Sequence, residues 1–155
     1  MQRKFDADKV NELLYQALET ERGGIKIYTT ALKAAVNPDL KKEWGEYLDE
    51  TRTHERVLTN VFGELGLDTE AMTPGRAVVA HMGAALVQAI EMALAKGDPA
   101  AAQLVAGECV VLAETKDHLN WELIGHVAKH ASGEVPKRLR KAFDAVEQDE
   151  DHHLY

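Results

Sequence analysis

The sequence has 155 residues, 45% hydrophobic and 28% charged, a composition that fits one compact domain and excludes both a disordered chain and two ordinary domains. Eighteen Lys and Arg against 26 Asp and Glu give a net charge of −8, whose field repels phosphate backbones and anionic lipid heads, so neither nucleic acid nor a membrane is an expected partner. Cys109 is the sole cysteine, which excludes an internal disulfide and Cys-rich zinc or iron–sulfur sites and leaves histidine and carboxylate as metal ligands.

The N-terminus carries basic residues with no apolar stretch behind them, so the expected location is cytoplasmic. Prolines divide the rest of the chain, because proline suits the first turn of a helix and a short polar residue suits the cap before it. Asn37-Pro38, Thr73-Pro74 and Asp98-Pro99 each open a helix, Asp6 or Asp8 caps the first, and Ser132-Gly133 breaks the chain before Pro136. Five helices are predicted, over 7–35, 38–65, 75–96, 99–131 and 135 to the end, with no alternating strand pattern. The apolar run Ala77–Ala95 is interrupted by His81, Gln88 and Glu91 and reads as a buried or interface helix rather than a membrane span.

The first helix aligns Val10, Leu14, Glu21, Ile25, Tyr28 and Leu32 on one stripe, placing a carboxylate mid-face. The second aligns Leu40, Tyr47, His54, Leu58, Val61 and Leu65, with Glu50 one turn before His54. In the 99–131 helix the main apolar stripe runs through Val105, Leu112, Leu119 and Leu123, and by strict helical steps Glu114 points away from it. Glu114 is nevertheless favoured over Glu108 and Glu122 by its height and by the echo between Glu114-Thr-Lys-Asp-His118 and Glu50-Thr-Arg-Thr-His54. The last helix aligns Leu139, Phe143, Val146, Glu150 and His153.

Ionisable groups at mid-stripe need a common cause, because an unpaired buried charge is very costly. A hairpin turning near residues 36 and 37 puts Glu21 level with His54. A second, turning near 133, puts Glu150 and His153 level with 114–118. Glu21, Glu50, His54, Glu114, Glu150 and His153 then form four carboxylates and two imidazoles on four helices, a ligand set for two divalent ions. With this set the sequence resembles the ferritin-like superfamily of di-iron and di-manganese carboxylate proteins. Its pattern of Glu, Glu-x-x-His, Glu and Glu-x-x-His is matched by Glu21, His54, Glu114 and the pair Glu150 and His153. On the second helix Thr51 stands three residues before His54, and the nearest carboxylate is Glu50, four before.

The resemblance implies an antiparallel four-helix bundle with an additional helix in the crossover between its second and third long helices. It also implies two bound iron or manganese ions that react with dioxygen or peroxide, as in a ferroxidase, a rubrerythrin or a manganese catalase. Tyr28 resembles the tyrosine often found near the metals and is the candidate catalytic residue. A homo-oligomer, dimeric or larger, is expected, and with Tyr155 two residues beyond His153, a partner subunit or further sequence is expected to steady that ligand. Two rival readings are a hemerythrin-like centre using the ladder His118, Glu122, His126 and His130, and a metal-free helical adaptor docking through 77–94.

Overall fold

Four of the five helices begin where a short polar side chain accepts from backbone N–H groups that have no partner inside the helix. Asp6 accepts from Lys9, Asn37 from Asp39 and Leu40, Thr73 from Arg76, and Asp98 from Ala100 and Ala101. The computed structural model describes residues 6–154, excluding the side chains of 150–152 and 154. It contains α1 (Ala7–Ala34), α2 (Pro38–Leu65), α3 (Pro74–Ala95), α4 (Pro99–His130) and α5 (Glu134–Leu154), with no strand among the described residues. Gly66 ends α2 in the left-handed region at φ 70°, where glycine carries no Cβ penalty, and Leu67 N–H closes back on the Phe62 carbonyl at 2.9 Å.

Four helices close a ring in which α1 touches α2 and α4, and α5 touches the same two, while α3 lies across α1 and α4. Cross-helix pairs run in opposite senses along each neighbouring pair. Glu21 meets Trp121 while Tyr28 meets Glu114, and Glu50 meets His153 while His54 meets Asp149. The ring is therefore an antiparallel bundle of two hairpins, with α3 in the crossover. Apolar side chains fill it as two clusters. One gathers Leu14, Leu18, Leu58, Phe62, Ile124, Leu139 and Val146, the other Ile27, Ala31, Trp44, Leu48, Ala106 and Val110. Between them lies a polar layer. Glycine lets the Phe143 ring of α5 lie against α4, because a Cβ at Gly125 would stand 2.6 Å from that ring.

Two expectations are corrected. Of the two readings of the 77–95 segment, buried or interface, the buried one is corrected, since Arg76 and Ile90 are the buried residues of α3; the helix is pinned through Arg76, whose guanidinium donates to Glu19 and to the Ala71 carbonyl, each at 3.0 Å. The stripe through Leu112, Leu119 and Leu123 is exposed, and the inward face of α4 is Ala102, Ala106, Val110, Glu114, Asp117, Trp121 and Ile124. Small residues at its first turns make that inward face less apolar in sequence than the outward one. The hydrophobic count therefore pointed to the wrong side, and Glu114 faces the core.

Candidate metal centre

The polar layer has two halves. In the first, Glu21 of α1 and His54 of α2 are both wholly buried, with His54 Nδ1 3.8 Å from Glu21 Oε1. Trp121 Nε1 of α4 donates to the same Glu21 oxygen at 2.8 Å. Asp117 of α4 completes the group, so that one ligand atom each from Glu21, His54 and Asp117 lies within 4.8 Å of the others. That buried cluster could hold a metal ion. The carboxyl of Glu21 is held well above the usual carboxylate range, first by burial, then by the charge of Asp117 and their mutual hydrogen bond, with His54 and Trp121 pulling the other way. Two carboxyls this close in a dry site coexist only by sharing a proton or a cation.

In the second half, Tyr28 of α1 donates its hydroxyl proton to Glu114 Oε1 at 2.7 Å, and Glu114 Oε2 lies 3.4 Å from His153 Nδ1 of α5. His153 Nε2 meets Glu50 Oε2 of α2 at 2.5 Å, and its ring tilts over Tyr47 at a centroid separation of 4.3 Å. Burial lowers the His153 pKa, but hydrogen bonds and charge from Glu114 and Glu50 outweigh it and the net shift is upward. Burial, followed by the hydrogen bond and charge of Glu43, pushes the Tyr47 phenol up as well.

The halves are joined. The His54 and His153 rings stand 5.8 Å apart, and His54 Nε2 meets Asp149 Oδ2 of α5 at 3.0 Å. Each imidazole thus pairs with an acid on the other's helix, and in both helices the acid stands four residues before the histidine. The same exchange occurs between α1 and α4, where each helix carries a glutamate and, seven residues on, an aromatic that donates to the other's glutamate. The centre therefore has approximate two-fold symmetry relating the two hairpins.

No known protein family, curated protein or solved structure matches this chain. Its centre rests on its own geometry. Of the residues singled out from sequence, Glu21, Glu50, His54, Glu114, His153 and Tyr28 converge on one layer, while the side chain of Glu150 lies outside the described residues. His118 pairs with Glu122 at 3.2 Å, and His126 packs on His130 with centroids 4.4 Å apart, at the partly exposed end of α4. Sequence reasoning missed Asp117, Asp149 and the donor role of Trp121. A signal existed for two of them, since Asp149 repeats before His153 the four-residue spacing of Glu50 and His54, and Trp121 repeats the seven-residue spacing of Tyr28.

The donor set fits hard or borderline divalent ions, being carboxylate oxygen and imidazole nitrogen without thiolate. Glu21 Oε2 and Glu114 Oε2 are buried and accept no hydrogen bond of ordinary geometry among the described residues. Such acceptors in an apolar bundle are what a cation satisfies. A cleft of about 650 Å³ between α2 and α4, lined by Trp44, Tyr47, Val110 and His153 among others, leads from the surface to the second half.

Proposed function

We propose that the chain is a ferritin-like di-metal protein that binds two iron or manganese ions and brings them into reaction with dioxygen or peroxide. The observation that carries this reading is the crossed pairing. Four helices deliver acids and imidazoles to one layer, each histidine standing between an acid of its own hairpin and a part-exposed acid of the other. A structural salt bridge needs one acid and one base, whereas this layer assembles Glu21, Glu50, Glu114, Asp117 and Asp149 about two histidines, an excess of negative charge that two divalent ions would largely offset.

Glu21, His54 and Asp117, with Asp149 in reach of His54, would hold one ion, and Glu50, Glu114 and His153 the other. Bound there, the pair would supply electrons and Lewis acidity to a small oxidant. Trp121 and Tyr28 orient Glu21 and Glu114 by donating to one oxygen of each carboxylate. Tyr28 holds a proton within the site. The apolar clusters on both sides keep bulk water from the layer, and the cleft beside His153 admits a small molecule.

Metal analysis of protein purified without chelator tests this. The expected content is close to two iron or manganese ions per chain, falling to about one in Glu21→Ala and in His54→Ala. Protein that stays metal-free after incubation with Fe(II) or Mn(II) overturns the reading, as does metal retained by both variants and lost from His118→Ala with His126→Ala.

A further inference from the structure

The outer flank of α4 carries a second set of metal-ligating side chains, none of which the buried layer uses. His118, Glu122, His126 and His130 stand four residues apart, a spacing that stacks successive side chains on one face of a helix, one turn above another. They divide into two pairs. His118 is buried and meets Glu122 at 3.2 Å, whereas His126 and His130 are exposed and pack ring on ring, with centroids 4.4 Å apart and planes inclined at 43°. Both exposed rings border a hollow of about 560 Å³ between α4 and α5, whose other walls include Trp121, Glu122 and, from α5, Glu147.

We propose that His126 and His130 chelate one late first-row divalent ion, Co(II), Ni(II), Cu(II) or Zn(II), with water and carboxylate oxygen of the hollow completing its coordination. Two imidazoles one helical turn apart form a chelating unit, because nitrogens held about 2.0–2.1 Å from one ion come to within roughly 3–3.5 Å of each other. Exposed rings whose centroids already lie 4.4 Å apart reach that separation by small side-chain rotations. The surrounding charge favours a cation. Glu122 and Glu147 outnumber Lys129 on the walls of the hollow, and the net charge of −8 draws cations from a distance. The donors then select which cation: affinity of an imidazole pair rises from Mn(II) through Co(II) and Ni(II) to Cu(II), whereas the five carboxylates of the buried layer offer mainly the oxygen that suits manganese. The outer pair needs no residue of that layer. Trp121 nevertheless joins the two places, since it borders the hollow and its indole N–H holds Glu21. Because His130 is the last residue of α4, an ion on this pair would also staple the final turn, where carbonyls without intrahelical partners leave a helix prone to fray.

Calorimetric titration of the full chain with Ni(II) tests the proposal. The wild type should show a one-to-one event that weakens by about tenfold or more in His126→Ala and likewise in His130→Ala, since loss of a ligand costs at least as much as loss of a group that supports one. The same event should persist in Glu21→Ala with His54→Ala, which separates it from the buried layer. Both histidines are exposed, so their replacement keeps the fold, as unchanged far-UV circular dichroism would register. Repeated with Co(II) and Mn(II), the event should weaken in that order. A titration with no uptake of Ni(II), one indifferent to both histidine replacements, an event lost in Glu21→Ala with His54→Ala, or Mn(II) held as tightly as Ni(II) by the histidine pair each overturns the inference.

Discussion

Glu21 shows how much one residue depends on its surroundings. It is an acid in a position that otherwise calls for leucine, and its neighbours supply one indole N–H, one imidazole and a second acid. Replacing Trp121 with Phe keeps an aromatic ring and removes the N–H, and a lost hydrogen bond to a metal ligand commonly lowers metal affinity by about 10–100-fold. Competition titration against a chelator of known strength should show that loss at one of the two sites, with the other unchanged. Asp149→Asn should act similarly through His54, and an unaltered titration would remove Asp149 from the centre. These two residues also mark where sequence reading stopped. The three-residue spacing of the resembled family drew attention to Glu150, whereas Asp149 stands four before His153 and reaches across to His54. Asp117 adjoins His118 in sequence but is turned inward with Glu114 and Trp121, and nothing in the polar string around it announces which of its members is buried.

At the scale of the helix, caps and prolines were legible because their chemistry is local. Asp98 accepts two backbone N–H bonds at the start of α4, and Asp98→Ala should cost about 1 kcal/mol by denaturant titration. The orientation of α4 was not legible, for a physical reason. That helix carries an apolar stripe on its outer side and a mixed one inside, and hydrophobic periodicity reports that a face avoids water without reporting what covers it. Close packing was equally invisible. A methyl on Gly125 would press into the Phe143 ring, so Gly125→Ala should destabilise the chain by about 1–3 kcal/mol despite the better helix propensity of alanine. A neutral or stabilising result would mean that α4 and α5 can part at that point without loss.

For the molecule as a whole, stability and metal are coupled. Glu21 holds its proton above the ordinary carboxyl value of 4.5, so the folded metal-free chain loses ground to the unfolded one as pH rises beyond that value. His153 acts in the same direction. Its contribution is complete below its ordinary value of 6.5 and is lost as pH climbs through the raised one. The metal-free protein should therefore melt progressively lower from about pH 5 to about pH 8. Saturating Fe(II), kept anaerobic, or Mn(II) should reverse the trend, adding about 2.7 kcal/mol at a hundredfold excess over Kd. A melting temperature that rises with pH in the metal-free chain would contradict both shifts.

The loops of the bundle have a kinetic consequence. Three residues join α1 to α2 and three join α4 to α5, so each hairpin closes through local contacts and can form within microseconds. The acids of the polar layer come from both hairpins, so docking one hairpin on the other drives like charges together, and α3 must be carried along by its crossover. The slow step of refolding is thus expected at docking. Stopped-flow refolding should speed up when the pH is lowered, which favours the protons that the fold holds on Glu21 and His153, or when Mn(II) is present from the start. The unfolding arm should slow only with the metal.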